Sequence, residues 1–243
     1  MRFLNVSLVI TFLLCGLLQA TQEKKIFLVI DDAGLALNET QQFLDIPIPM
    51  TIAVLPYQKQ TKAVCLAIGR DPQKEIILHQ PMEAQNGKKN PGIGAIMDTT
   101  TPAEVRRILD HNLRSVRGAV GINNHMGSRV TENMELMSEV LRFCKGHGLF
   151  FLDSKTAYNS QVPRVAKKVG VHLEARDVFL DINQDRAYIR RMWGSAVNTA
   201  REKGYVIVIG HIWSAESALA IRDSYEGLIN QGYTFHKISE LYE

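Results

Sequence analysis

Short, uniformly apolar runs alternate with longer amphipathic stretches along nearly the whole chain, and this alternation limits the possible folds more than any other feature. Most runs are too short and too evenly apolar to be half-exposed antiparallel strands, so they indicate a parallel sheet covered by helices. Clear helical patterns lie between them, for example at 102–116 and 133–145. We therefore expect an α/β fold. The predicted strands are residues 26–30, 50–55, 75–79, 119–122, 149–152, 178–180 and 205–209, with a weaker one at 233–238.

The first 20 residues have the pattern of a secretory signal peptide. A basic start at Arg2 is followed by an apolar run over residues 6–18, and Ala20 completes a cleavage site of the usual small-residue type. The run is shorter than the roughly 20 residues that cross a bilayer comfortably. We expect cleavage near Ala20, an exported protein in the periplasm or outside the cell, and a single domain over residues 21–243 without a stable membrane span. Retention as a membrane anchor is the alternative.

Charge and cysteine content limit the partners and the covalent structure. The 28 Lys and Arg residues nearly balance the 25 Asp and Glu residues, which gives a formal net charge of +3 over 243 residues. Because so small a charge attracts polyanions weakly, we expect no nucleic-acid partner.

Cys65 and Cys144 remain after signal cleavage, and their distance in sequence does not decide between one disulfide and two buried thiols. The sequence does not predict an oligomeric state.

Polar and titratable side chains follow the carboxyl ends of six predicted strands. In parallel α/β folds these ends share one face, where catalytic groups from separate strands meet. Each residue alone is compatible with a capping or hydrogen-bonding role, so the prediction of an active site depends on the whole set. The set consists of Asp31-Asp32, His79, Asn123-Asn124-His125, Asp153-Ser154, Asp181 and Gly210-His211.

Two adjacent carboxylates and several imidazoles on one face suit metal-dependent hydrolysis. Neighbouring residues of a strand point in different directions, so one of Asp31 and Asp32 can bind a metal while the other accepts a proton. One carboxylate and two imidazoles form an open Zn²⁺ site with a position left for water, and such a metal activates water and polarises a carbonyl. The chain contains no GxSxG, P-loop or GxGxxG motif, which argues against serine hydrolases of that type, nucleotide hydrolysis and dinucleotide redox chemistry.

From about residue 24 to the end, these motifs in their order and spacing resemble the divergent polysaccharide deacetylase family, in its YibQ-like branch. The chain is thereby similar to the broader NodB-like carbohydrate deacetylases. That resemblance implies an irregular seven-stranded (β/α) barrel, a divalent metal, most simply Zn²⁺, and removal of N-acetyl groups from a glycan such as a cell-envelope polysaccharide or peptidoglycan fragment. The segments that carry it are residues 26–34, 79–83, 123–128, 151–154 and 210–211.

The resemblance also implies roles for metal-binding residues. Asp32 matches the carboxylate ligand, and His79 matches the first metal histidine. In the broader family a second histidine follows four positions later, where this chain has Glu83. We therefore expect His125, from the next strand, to be the third ligand, with Glu83 as the alternative.

The same resemblance assigns the acid–base chemistry. Asp31 matches the general base and His211 matches the general acid, which protonates the departing amine. Asp153 is expected to orient the imidazole of His211 or the substrate. The broader family's arginine-and-proline motif is not evident after the fourth strand, although Arg129 lies close to His125 in sequence.

Several residues remain with a choice of roles. Glu83, Asn124, Arg129 and Trp213 are candidates for substrate binding, and Trp213 is better placed than Trp193 to stack on a sugar ring, because we expect Trp193 to pack in the core. Asp181 and Asn183 either line the mouth of the site or make loop hydrogen bonds. Surface or capping roles are expected for the remaining histidines, which are His111, His147, His172 and His236.

Two other functions stay open at this point. A barrel that binds a metal or a glycan without turnover is consistent with the absence of the second histidine and of the arginine motif. A metal-dependent phosphoesterase is suggested by Asn124-His125 and Gly210-His211, although such enzymes usually have Asp-x-His after the first strand, where this chain has Asp31-Asp32.

Overall fold

A computed structural model describes residues 23–85, 87 and 89–243. The predicted signal peptide, residues 1–20, lies outside the described residues. Within the described part, no helix combines the length and the apolar character needed to cross a membrane. The strands are β1 (Lys25–Ala33), β2 (Met50–Val54), β3 (Lys74–Met82), β4 (Ala119–Met126), β5 (Phe150–Asp153), β6 (Glu174–Ala175), β7 (Val178–Phe179), β8 (Tyr205–His211) and β9 (Thr234–His236). The α-helices are α1 (Leu37–Leu44), α2 (Thr61–Ile68), α3 (Pro102–Ser115), α4 (Met134–His147), α5 (Val162–Val169), α6 (Arg186–Lys203), α7 (Ala215–Arg222) and α8 (Tyr225–Asn230).

The strands of the described residues form one parallel sheet in the order β6-β5-β4-β3-β2-β1-β8-β7. Strand β9 pairs with the amino half of β1, whose carboxyl half pairs with β2. The predicted α/β fold with a parallel sheet is confirmed. The count of seven strands is not confirmed, because this path has eight and the very short β6 has no counterpart among the predicted strands.

One short segment joins the two edges of the sheet. Strands β6 and β7 are the end strands of the path, yet only residues 176–177 separate them in sequence. The backbone N–H of Arg176 donates to Asp153 O on β5 at 3.0 Å, and that of Asp177 donates to Ile207 O on β8 at 2.9 Å. The segment 174–179 therefore bends the sheet toward an irregular barrel and places its own side chains between the two edges.

Both faces of the sheet are buried, which explains the uniformly apolar strands. On β1, Ile26, Leu28 and Ile30 pack in the large cluster that includes the α-helices, whereas Phe27 and Val29 pack in a second cluster that contains no α-helix residue and forms the barrel interior. Strand side chains alternate between faces with a period of two. Three interior apolar residues are accordingly followed two positions later by a polar one, Val29 by Asp31, Ile77 by His79 and Ile209 by His211.

The two helices with the clearest sequence patterns begin at the expected caps, but α4 ends later than predicted. Thr101 caps α3 in a reciprocal capping box with Glu104, and Pro102 occupies the first helical position. Asn133 caps α4, which runs two residues beyond the predicted end before Gly148 ends it in the left-handed conformation. Helix α3 packs against β3, and helix α4 packs against β5.

Cys65 on α2 and Cys144 on α4 are both buried free thiols. Burial raises the pKa of Cys65 to about 11 and that of Cys144 to about 12. Of the two alternatives that the sequence left open, the structure has the pair of buried thiols.

Candidate metal centre and acid–base pair

A bulge near the end of β1 directs its two carboxylates toward the barrel mouth. Ile30 pairs with Ile52 and Ala33 with Val54, so β1 contains one residue more than β2 over this stretch. Asp32 lies in the extra turn with φ of 67°, a left-handed conformation that is uncommon outside glycine. Such strained positions concentrate at functional sites, and here the strain turns Asp32 toward the same site as Asp31.

Asp32, His79 and His125 form a group that fits a divalent metal. Asp32 Oδ1 lies 2.9 Å from His125 Nδ1 and 3.2 Å from His79 Nε2, and the two imidazole nitrogens are 3.1 Å apart. All three atoms lie within 4.8 Å of one another. Asp32 Oδ1 is buried and has no hydrogen bond of acceptable geometry, as expected when lone pairs converge on a shared cation and not on each other. One carboxylate with two imidazoles is a common donor set for catalytic Zn²⁺.

Asn123 holds the first of these imidazoles, a role that sequence reasoning missed although it placed Asn123 in the polar set. Its Oδ1 lies 2.7 Å from His79 Nδ1, so Nδ1 carries the proton and Nε2 keeps a lone pair for a metal. Its Nδ2 donates to Asp31 Oδ1 at 2.8 Å. Strand alternation could have identified this role. Asn123 and His125 lie two positions apart and share one face of β4, whereas Asn124 lies on the other face.

The charges of the site reflect deep burial and mutual compensation. Burial raises the pKa of Asp31, and the neighbouring His79 and His211 only partly oppose that effect. For Asp32, burial also opposes ionisation, but His125 and His79 outweigh it and keep its pKa below the ordinary range. Burial alone would lower the pKa of His79. The neighbouring Asp31 and Asp32 raise it by more than burial lowers it, so the pKa is about 9. The metal-free site therefore attracts positive charge.

His211 forms a tight pair with Asp181 beside this group. Strand register places His211 next to Asp31, and Asp181 Oδ1 lies 2.7 Å from His211 Nδ1. The fully buried Asp181 also accepts hydrogen bonds from the His211 backbone N–H and the Ser217 hydroxyl. Burial lowers the pKa of His211, but the hydrogen bond to Asp181 and the nearby Asp31 raise it above the ordinary value.

Asp153, expected to orient His211 or the substrate, is not bonded to His211 and has other partners. Its carboxylate accepts hydrogen bonds from the backbone N–H of Lys155 at 2.8 Å and from the Ser160 hydroxyl at 3.1 Å. The physical reason is strand position, since Asp153 ends β5, whereas Asp181 lies two residues beyond β7, the strand that pairs with β8. Asp181 therefore occupies the orienting position that we predicted for Asp153.

Trp213, two residues beyond β8, contacts both parts of the site. Its Nε1–H donates to Asp32 Oδ2 at 2.9 Å. Its ring stacks on His211 with 4.8 Å between centroids and 17° between planes, and Phe179 is also nearly parallel to that imidazole at 5.8 Å. The indole is 43% exposed, so it forms part of the accessible rim.

The other predicted substrate-binding residues lie outside the metal group. Arg129 pairs with Glu83 at 3.5 Å and with Asp98 at 3.2 Å, and Glu83 also accepts the backbone N–H of Asp98. The metal group thus includes His125 and not Glu83. Asn124 is buried and bonds to the Met126 carbonyl, so it pins the end of β4 instead of facing the site.

A second residue missed by sequence reasoning is Arg176, in the segment 174–179. Its guanidinium donates to the carbonyls of Ser154 and Lys155 at 2.8 and 3.0 Å and lies 3.7 Å from the centre of the Phe179 ring. Burial lowers its pKa, and the nearby carboxylates, Asp31 among them, oppose that effect. Arg176 therefore supplies a half-buried positive charge beside the site.

The residues expected to have local roles have them. Trp193 is buried and donates to the Ser224 hydroxyl at 2.7 Å, and Asn183 accepts the backbone N–H of Asp185. The four remaining histidines bond to neighbours in sequence, with His111 on Arg107, His147 on Phe143, His172 on Glu174 and His236 on Glu240.

Comparison with known proteins identifies the family. The model of divergent polysaccharide deacetylases matches residues 28–242. The chain belongs to this family. It is 35% identical over 187 residues to YibQ, an uncharacterized protein of Escherichia coli K12, and the match covers 77% of this chain but only 58% of that relative.

Solved structures share the fold at low sequence identity. An uncharacterized protein of Agrobacterium tumefaciens superposes with a TM-score of 0.85 at 22% identity, covering 91% of this chain and 90% of that one. The catalytic domain of a peptidoglycan N-acetylglucosamine deacetylase from Eubacterium rectale gives 0.56 at 13% identity and 88% coverage of both chains. A CE4-family pseudoenzyme of Bacillus anthracis gives 0.53 at 14% identity and covers 92% of this chain and 66% of that one. The fold therefore occurs both in a deacetylase and in a protein described as a pseudoenzyme.

Proposed function

We propose that this divergent deacetylase is an exported, metal-dependent hydrolase that removes acetyl groups from N-acetylated glycans of the cell envelope. The observation that carries the proposal is the convergence of a carboxylate and two imidazoles on one point, with Asp31 on one side and the His211–Asp181 pair beside it. This set supplies a metal site, a proton acceptor and a proton donor within one layer of the barrel.

Asp32, His79 and His125 would hold the metal, most simply Zn²⁺. When bound, a divalent ion lowers the pKa of water and polarises the carbonyl of an acetamide. Asp31 Oδ2 lies 3.7 Å from His79 Nε2 and so borders the metal group, where it accepts the proton of the attacking water. Asn123 fixes both partners, because it bonds to His79 and to Asp31 at once.

His211 is the proton donor in this proposal. Asp181 occupies Nδ1 and fixes the ring, so Nε2 is the nitrogen left to protonate the departing amine. The pair resembles other histidine–aspartate arrangements in which the carboxylate sets the tautomer and stabilises the imidazolium. Against the effect of burial, the hydrogen bond to Asp181 and the nearby Asp31 raise the pKa of His211, which favours the protonated imidazole that a general acid requires.

The proposed substrate and location come from the family and from the amino-terminal segment. The Eubacterium rectale neighbour is described as a peptidoglycan N-acetylglucosamine deacetylase, and an N-acetylated envelope glycan suits a domain with little net charge. The predicted signal peptide would deliver the domain to the compartment that contains such glycans.

The test combines metal analysis with an acetate-release assay on acetylated chitooligosaccharides and peptidoglycan fragments. We expect about one metal ion per parent chain, loss of the metal in Asp32→Ala and His125→Ala, and retention of metal in Asp31→Asn with turnover lowered about 10²–10⁴-fold. His111→Ala is the matched control, because this exposed imidazole on α3 bonds only to its own helix and its variant should behave as the parent does.

Each failure has a distinct meaning. Full metal content in both ligand variants would show that the metal site is wrong. A metal-loaded parent that releases no acetate would identify a binding barrel instead of an enzyme. Release of phosphate from phosphoesters without release of acetate would favour the phosphoesterase, although the described residues contain one candidate metal group and not the two that such enzymes use.

A further inference from the structure

Trp213 bonds to one of the two carboxylate oxygens of Asp32, the proposed metal ligand, and leaves the other oxygen to the metal group. Asp32 Oδ1 faces His79 and His125, whereas Oδ2 accepts the indole N–H of Trp213 at 2.9 Å. A carboxylate with one oxygen held by an outer donor offers only the other to a metal and loses the freedom to rotate. Such outer partners fix ligand orientation and typically change metal affinity about 10–100-fold when they are removed.

The same indole also restrains the proton donor. Its ring stacks on His211, whose Nδ1 is held by Asp181, and Phe179 lies nearly parallel to the same imidazole. Stacking limits the tilt of the imidazole, and the hydrogen bond limits its rotation in plane. One side chain therefore contacts both the carboxylate ligand and the general acid of the proposed reaction.

We propose that Trp213 is a positioning residue that orients Asp32 for the metal and couples the metal site to His211. This inference depends on the metal site of the proposed function and assigns to Trp213 a role different from sugar stacking. The half-exposed indole lies at the rim, so its replacement leaves the buried core intact and its effect reports on the site.

The test measures Zn²⁺ affinity by competition with a chromophoric chelator in the parent, Trp213→Phe and Trp193→Phe. Phenylalanine keeps a stacking ring but lacks the N–H, so we expect Trp213→Phe to weaken Zn²⁺ binding about 10–100-fold. Trp193→Phe is the matched control, since it removes an indole N–H that donates to Ser224 away from the site, and its affinity should equal that of the parent within about twofold. Trp213→Tyr, which also lacks the indole N–H, provides a second variant, and circular dichroism of each metal-free protein verifies folding.

Fluorescence gives a readout that a general loss of stability would not produce. The chain has two tryptophans, so Trp193→Phe leaves Trp213 as the sole indole and Trp213→Phe leaves Trp193. Zn²⁺ should change the emission of Trp213, with saturation near one equivalent, and should leave the emission of Trp193 unchanged.

Parent-like Zn²⁺ affinity in folded Trp213→Phe and Trp213→Tyr would overturn the inference and leave the proposed metal site standing. An emission of Trp213 that does not change at saturating Zn²⁺ would also overturn the inference. Failure of the parent to bind Zn²⁺ at all would overturn both the inference and the metal site, so the two failures are distinguishable.

Discussion

Replacing Asp181 with Asn tests the proton donor most directly, because the two side chains differ by one atom. Asp181 Oδ2 accepts from the His211 backbone N–H at 2.8 Å, so the amide oxygen of Asn must take that place. The amide NH₂ then faces His211 Nδ1, which has to accept a hydrogen bond and give up its proton. The substitution therefore favours the neutral imidazole with its proton on Nε2 and removes the charge that stabilises the imidazolium.

The size of the effect follows from the lost hydrogen bond. A hydrogen bond to a charged group contributes about 1.5–3 kcal/mol, and 1.36 kcal/mol corresponds to a change of one in pKa, so the pKa of His211 should fall by about 1 to 2. In the parent, against the effect of burial, the hydrogen bond to Asp181 and the nearby Asp31 raise this pKa above the ordinary histidine value of 6.5. The pair therefore stabilises the folded state fully below the unfolded-state pKa, and that contribution is lost as pH rises through the folded-state pKa. Asp181→Asn should consequently lose more stability at about pH 6 than at about pH 9.

The assay is an NMR titration of the histidine ring signals, with His211 assigned through a His211→Asn variant. If the proposed reaction holds, the alkaline limb of the activity profile should move to lower pH with the titration, because the acid must be protonated to act. Ser217→Ala is the matched control, since it removes another hydrogen bond to Asp181 Oδ2 but leaves the His211 Nδ1 contact in place. An unchanged His211 pKa in Asp181→Asn would refute the claim that Asp181 holds the imidazolium.

Three further expectations concern the site and the fold. Asn123→Leu leaves the buried His79 Nδ1 and Asp31 Oδ1 without their partner, so the free energy of unfolding in urea should fall by about 2–5 kcal/mol and metal affinity should also fall. Parent-like values of both quantities would contradict the bridging role of Asn123. Gly121→Ala places a methyl group in steric overlap with the Phe150 ring, so we expect a loss of about 1–3 kcal/mol in the same assay. An unchanged unfolding midpoint would show that the ring and the strands adjust easily. Cys65 and Cys144, buried with raised pKa values, should react with a thiol reagent only after unfolding, and a reductant should leave the melting temperature unchanged; rapid reaction of the native protein would contradict their burial.

The strand cores were predictable because both faces of this sheet are buried. Residues that face the helices and residues that face the barrel interior are both apolar, so each strand appears as a continuous apolar run. A search for apolar runs also predicts strands that are too short. Strands β1, β3 and β4 continue beyond their apolar runs into polar residues that line the site. Strand β6 was missed since two half-buried residues carry no apolar signal.

The metal group was predictable in part for the same geometric reason. Parallel strands bring their carboxyl ends together, so the polar residues there were expected to share one face, and the family resemblance selected Asp32, His79 and His125 from that set. The choice between His125 and Glu83 required the register of β3 and β4, which pairs Pro81 with His125 and carries Glu83 beyond the end of β3, toward Arg129. Asn123 was within reach of sequence reasoning, because strand alternation already places it on the face of His125.

Arg176 could not be predicted as a site residue from the sequence. It places a positive charge beside the site, and the order of the motifs gives no sign of that charge. The resemblance led us to look for an arginine after the fourth strand, where Arg129 instead binds Glu83 and Asp98. The segment 174–179 delivers Arg176 from the joined edges of the sheet, close enough to Asp31 for the carboxylate to oppose the effect of burial on its pKa. The imidazoles of His79, His125 and His211 compensate the two adjacent carboxylates, and Arg176 adds a further positive charge nearby. The position of Arg176 depends on the segment that bonds to both β5 and β8, and no local sequence pattern contains that contact between distant strands.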